Sequence, residues 1–258
     1  MVDDFLTNDP RTVDELINTA LTEPDEDIAW YAVCALHWRG TLEVLQRASS
    51  LCSSCCSRER RLGADILGQL GVPDRAFPDR CIELLYQMIS QEQDSDVLQS
   101  ITIALTHLYD PNIVSIVAPL VAHFDPNVRQ AVAVALAGHD DQESVHMLVH
   151  LTEDADVDVR DWATFALGSQ TEADLPEIRE ALVRRLDDSD ETVRGEALVG
   201  LARRKEQRVV AALIKELRRE TVSDLACDAA ELIAPKILGS DLTAIAEWLD
   251  TDPVIFER

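Results

Sequence analysis

The chain has 258 residues, 47% of them hydrophobic, with 23 Lys and Arg against 48 Asp and Glu and a formal net charge of −25. That length and apolar fraction suffice for a buried core and exclude a disordered acidic chain. The charge argues against sequence-independent nucleic-acid binding, which needs cations against phosphates, and against docking on an anionic membrane surface, and it leaves a positively charged partner open. No apolar run approaches the ~20 residues of a membrane span. Met1–Phe5 has neither the basic nor the apolar region of a secretory signal. Six cysteines, at 34, 52, 55, 56, 81 and 227, have no framework spacing, which points to reduced thiols and a cytoplasmic location.

Taken in chain order, residues 11–21 read as an amphipathic helix that precedes a series of repeated pairs. The first pair opens on Asp25…Ile28…Ala32…Leu36 and continues through 42–51. The second opens on Glu59-Arg60…Gly63…Leu67-Gly68, crosses a long connection at Gly71–Pro78, and continues through 78–90. The third has Asp94…Val97…Ile101…Leu105 and then 112–123, where Pro119 predicts a kink. The next three are the clearest. Asp125-Pro-Asn-Val-Arg129 is followed by 142–152, Asp156-Val-Asp-Val-Arg160 by 174–186, and Asp190-Glu-Thr-Val-Arg194 by 206–219. A last pair joins Leu225…Ala229…Ile233 to 240–250. The first apolar anchors fall at 28, 59, 97, 128, 159, 193 and 225, a period of 31 to 38 residues.

Anchors at 0, +4 and +8 form one apolar stripe on a helix, the leading Asp is a good N-cap, and a trailing small residue marks the helix end. Each unit is therefore an A helix followed by a B helix. No single pair buries its apolar face alone, which predicts one cooperative array over 1–258.

The frame Asp-x-x-Val-Arg-x-x-apolar-x-x-small-Leu-small resembles HEAT repeats of the short bacterial type also seen in phycocyanobilin lyases, with its strongest copies in 125–219. The resemblance implies an all-α, right-handed α-solenoid of about seven helical pairs plus the N-terminal helix. It also implies structural ladders between successive repeats through Asp125 and Arg129, Asp156 and Arg160, and Asp190 and Arg194. The frame departs where Ala29, Leu98 and Ala226 replace the arginine and Cys56 replaces the aspartate.

Candidate sites are few. Glu143, His146 and His150 share an arc of about 60° on one helix face, a weak constellation for a divalent metal. H-x-x-x-H without the intervening Glu is not a metalloprotease motif. Cys52-Ser-Ser-Cys55-Cys56 lacks the second ligand pair of a closed zinc site and reads as buried thiols at a helix turn. Trp162 occupies a position that is variable among the repeats and reads either as a binding anchor or as cover for a neighbouring repeat, whereas Trp30, Trp38 and Trp248 read as packing residues. No phosphate loop or nucleophile elbow occurs, so no catalytic residue and no cofactor are assigned.

The charge is uneven. Residues 81–159 hold one cation against 13 acids, whereas 179–219 hold eleven cations against eight acids. The function that follows is a non-enzymatic protein-interaction scaffold for a basic partner, of inhibitor or immunity type. Its candidate contacts are Asp110, Asp140, Asp141, Glu143, His146, His150 and Trp162. The resemblance offers two alternatives, a bilin lyase or chaperone and, more remotely, a DNA glycosylase on the same scaffold.

Overall fold

A computed structural model describes residues 9–233 and 242–251 of the chain. Met1–Phe5 and residues 240–241, on which two of the sequence expectations fall, lie outside the described residues. The chain is an all-α solenoid in fold class, and it divides into two compact units, 1–135 and 136–258.

The N-terminal unit begins with α1 (Val13–Thr22), closed by a capping box in which Thr12 and Glu15 satisfy each other's backbone amides. Three repeats follow as pairs: α2 (Glu26–Arg39) with α3 (Leu42–Cys52), α4 (Ser57–Gln69) with α5 (Pro78–Ile89), and α6 (Ser95–His107) with α7 (Ile113–Val117). The next A helix, α8 (Pro126–Leu136), ends at the boundary between the units. The C-terminal unit continues with α9 (Gln142–Leu151), α10 (Val157–Phe165), α11 (Pro176–Arg185), α12 (Glu191–Arg203), α13 (Val209–Leu217), α14 (Asp224–Ile233) and α15 (Leu242–Thr251).

Helix starts follow the frame. Asp25, Asp94, Asp156 and Asp190 each accept the second and third amides of their A helix. Cys56 caps nothing with its side chain, as expected of a residue standing where the frame has Asp. The anchors Val97, Val128, Val159 and Val193 are fully buried. Pro119 does more than kink its helix: α7 ends at Val117 and Ala118–Leu120 tighten into a 3₁₀ turn, because a proline cannot donate to the helical ladder. In the 71–78 connection, Gly71 and Phe77 both take left-handed backbone, and Gly40 is held against Gly71, where a Cβ would lie 2.7 Å from the neighbouring Cα.

The A helix α10 ends differently from the others. Ala166–Gln170 widen into a π turn at the place where Gly168 crosses Gly200 of α12. A Cβ on Gly200 would sit 2.5 Å from the Gly168 Cα, so only glycine allows this approach. The loosened carbonyls of the turn are gathered by one side chain. Arg204 donates to the carbonyls of Leu167, Gly168, Gly200, Thr171 and Ala173 at 2.7–3.2 Å.

Candidate interaction surface

Arg160 and Arg194 pair with acids other than the frame aspartates. Arg60 and Arg160 reach forward to an acid just before the next cap aspartate, and Arg194 reaches one on the B helix of its own pair. Arg60 forms a bidentate pair with Glu92 at 2.8 and 2.9 Å, and Arg160 one with Asp188 at 2.9 and 3.1 Å. Arg194 reaches Glu216 on α13 at 3.0 Å. The remaining nitrogen of each turns back to the carbonyls five and six residues before it: Asp154 and Ala155 for Arg160, Asp188 and Ser189 for Arg194, His123 and Phe124 for Arg129.

Glu92 and Asp188 stand two residues before a cap aspartate and also accept its amide. The aspartates are thus occupied with helix amides, and the acid two positions earlier takes the arginine. Burial works against the Asp188 carboxylate, but the Arg160 guanidinium outweighs it and holds the carboxyl below its usual range. The sequence signal for this was the acid-x-acid spacing in Glu92-Gln-Asp94 and Asp188-Ser-Asp190.

The basic segment 179–219 is consumed in the same way. Arg179 binds Asp174 and Glu206, Arg185 binds Asp188, Arg208 binds Glu180 and Glu206, and Arg219 binds Glu216. Arg184 pairs with Glu153, and Arg218 with Asp250. What the sequence presents as a cationic strip is for the most part neutralised in ion pairs, half-buried at Arg185, buried at Arg194 and exposed at Arg184, Arg208 and Arg218, while Lys205 stays exposed.

The α9 surface keeps its negative character. Asp140 uses Oδ1 to hold the amides of Glu172 and Ala173 at 2.9 and 3.1 Å. Asp141 caps α9. Burial opposes its charge, but the hydroxyl and amide of Ser144 prevail and hold the carboxyl below its usual range. Glu143, His146 and His150 are exposed. They do not assemble a metal site. The His146 Nε2 lies 3.1 Å from Glu177 Oε2, and no three His, Cys, Asp or Glu side chains converge for a metal among the described residues. Beside them Asp140, Gln142, Leu175, Pro176 and Glu177 line an open groove of about 590 Å³. Trp162 is partly exposed and packs edge-on against Phe165, with ring centroids 5.8 Å apart.

Two readings are corrected. Asp110 is no surface contact: it is 3% exposed, with Oδ1 accepting from the Tyr86 hydroxyl at 2.8 Å and the Asn112 amide at 2.9 Å. It turns inward because Tyr109 before it takes left-handed backbone. The thiol cluster is split as well. Cys52 is buried, and burial pushes its thiol up to about 12, whereas Cys55 and Cys56 are exposed.

The family described as HEAT repeats matches residues 82–168 and 147–234. The chain belongs to the HEAT-repeat family. Protein YibA of Escherichia coli (strain K12) is 30% identical over 226 residues, covering 85% of this chain and 80% of that one. The X-ray structure of E. coli YibA aligns with a TM-score of 0.73 at 28% identity, over 100% of this chain and 91% of that chain. The complex of CpcE and CpcF of phycocyanin lyase from Nostoc sp. PCC7120 aligns with a TM-score of 0.47 at 18% identity, over 96% and 97% of the two chains.

Within this HEAT-repeat frame, Trp30 is the residue that sequence reasoning misplaced. It is not packed under an end repeat but 51% exposed on α2. Its neighbour Ile28 is also exposed although it occupies an anchor position, so no described element covers this face of the first A helix.

Proposed function

We propose that the chain is a non-enzymatic interaction scaffold that binds a basic protein through the acidic α9 surface, in the manner of an inhibitor or immunity-type protein. The observation that carries this reading is the fate of the cations. The arginines of the C-terminal unit are committed to internal carboxylates and carbonyls, so the excess negative charge is expressed at the surface, around Asp140, Glu143, Glu172 and Glu177. Leu175 and Pro176 add an apolar wall to that groove. A basic side chain with an aliphatic stem suits such a lining, its head against the carboxylates and its stem against the wall. No helix among the described residues is long and apolar enough to cross a membrane.

The test is a titration of the full chain against a panel of small basic proteins at rising ionic strength, repeated with Asp140→Asn, Glu143→Gln and Glu177→Gln combined. The expected result is binding at low salt that fades as salt rises and is lost in the neutralised variant. Binding indifferent both to salt and to the three substitutions overturns the reading.

A further inference from the structure

The N-terminal unit carries a groove of about 390 Å³ between α1, α2 and α4. Ala29, Val33 and Leu62 form its apolar part, and Trp30 stands beside them, half in water. The Trp30 ring is fixed edge-on against the buried His37, with centroids 6.2 Å apart. A tryptophan held in this way offers a large rigid surface at little entropic loss, the property that makes such residues binding anchors.

Two arginines from α4, Arg58 and Arg61, complete the lining. Arg61 has Asp65 at 3.9 Å. Burial pushes the Asp65 carboxyl up, while the Ser100 hydroxyl and Arg61 partly restore its charge. Glu23 is occupied with the Asp25 amide. Arg58 is different. Among the described residues every other arginine donates to a carboxylate or a carbonyl, even Arg39 and Arg75, which find only backbone. Arg58 makes neither a hydrogen bond nor an ion pair among the described residues, although it is embedded in a chain of net charge −25. Carboxylates are abundant in this protein, and the one arginine they leave open among the described residues stands next to the exposed tryptophan.

We propose that this groove binds a short peptide segment of a partner protein in which an Asp or Glu lies beside a large apolar side chain. The apolar side chain packs on Trp30 over Val33 and Leu62, and the carboxylate pairs with Arg58. Glu26, also in the lining and without a partner among the described residues, competes for the same cation. The groove lies in the N-terminal unit and the α9 surface in the C-terminal one, so either assignment stands or fails without the other.

The experiment screens an array of random twelve-residue peptides against the full-length protein and titrates the strongest binders by fluorescence anisotropy. The expected consensus joins an acidic residue to Phe, Trp, Leu or Ile. Arg58→Glu and Trp30→Ala each weaken those binders about tenfold or more, Glu26→Gln tightens them about threefold, and Arg47→Glu on the exposed face of α3 leaves them unchanged. Because Arg58, Trp30 and Glu26 are exposed, the variants keep the parent's circular dichroism and melting temperature, which is checked alongside. A basic consensus, no consensus, or binders indifferent to Arg58→Glu overturns the proposal. So does concentration-dependent self-association that Arg58→Glu abolishes, because the occupant is then a second copy of this chain.

Discussion

In residues 136–258 the arginines hold the unit together: they cross between helices, bind pairs of carboxylates, and in Arg204 collect five carbonyls around a π turn. In residues 1–135 the same residue type serves more varied ends. Arg60 is a repeat staple, Arg39 and Arg75 grip backbone carbonyls, and Arg58 faces water beside Trp30. The difference shows that a cation count along a sequence says little about surface charge. Ten of the eleven cations in 179–219 are paired with carboxylates, whereas the one at position 58 has no partner among the described residues.

The sharpest way to break this comparison is to remove the π-turn cation. Arg204→Met leaves five carbonyls without their donor, and the C-terminal unit is expected to lose about 3–4 kcal/mol. Denaturant melts read by hydrogen exchange resolved along the chain should show the loss in 136–258 and leave 1–135 unchanged.

Next in size is the response to acid, in which the units oppose one another. Burial lowers His37 in the N-terminal unit to about 4, while its Nε2 stays within hydrogen-bond distance of the Asp65 carbonyl. In the unfolded chain it titrates near 6.5. Above pH 6.5 both states are neutral. As pH falls from 6.5 toward 4, the unfolded chain takes a proton that the native state refuses, so the N-terminal unit loses about 3 kcal/mol across that window. Glu196 on α12 runs the other way. Desolvation, with Asp161 and Asp228 adding repulsion, raises it to about 7. Its contribution is present at low pH and is lost as pH rises from the unfolded value near 4.5 toward 7. Acidification from pH 6.5 to 4.5 should therefore weaken 1–135 and strengthen 136–258. His37→Phe removes the first effect, Glu196→Gln the second, and the same exchange-resolved melts at each pH read both.

A smaller effect is expected at the glycine crossing. Gly200→Ala drives a methyl into the Gly168 backbone and should destabilise the C-terminal unit by about 2 kcal/mol, with thermal unfolding as the readout. The smallest is at an exposed pair. Arg184→Ala, opposite Glu153, should change stability by no more than about 0.5 kcal/mol, because both partners are solvated. A loss there comparable to that of Arg204→Met would mean that the stapling does not depend on burial.

The helical organisation was legible because it is written locally. The apolar stripe and the aspartate caps are matters of three- and four-residue spacing, and Val97, Val159 and Val193 sit where that spacing puts them. The arginine partners were not, because they lie 22 to 32 residues away and two acids compete for Arg60 and for Arg160. Choosing between them requires knowing that the cap aspartate is already occupied by helix amides. The same limit explains Asp110 and Trp30. Whether a polar residue is swallowed by a turn, or an aromatic one is left uncovered, depends on neighbours that the period does not specify. Of the α9 surface, the residue types and the shared helix face were readable, but the turn of His146 toward Glu177 on the next B helix was not.

The forward reach of Arg60 and Arg160 gives those parts of the array a direction. Arg60 and Arg160 each depend on the repeat that follows, whereas Glu92 and Asp188 also hold an amide of their own repeat. Trimming repeats from the front would leave an acid that still has work at its own cap. Trimming from the back would strand a guanidinium among carbonyls with its counter-charge gone. The two ends are therefore unequal places to shorten, extend or graft the chain. A chain that starts between Arg60 and Glu92, or between Arg160 and Asp188, disturbs one half-satisfied acid, while a chain that ends there must bring a replacement carboxylate with it.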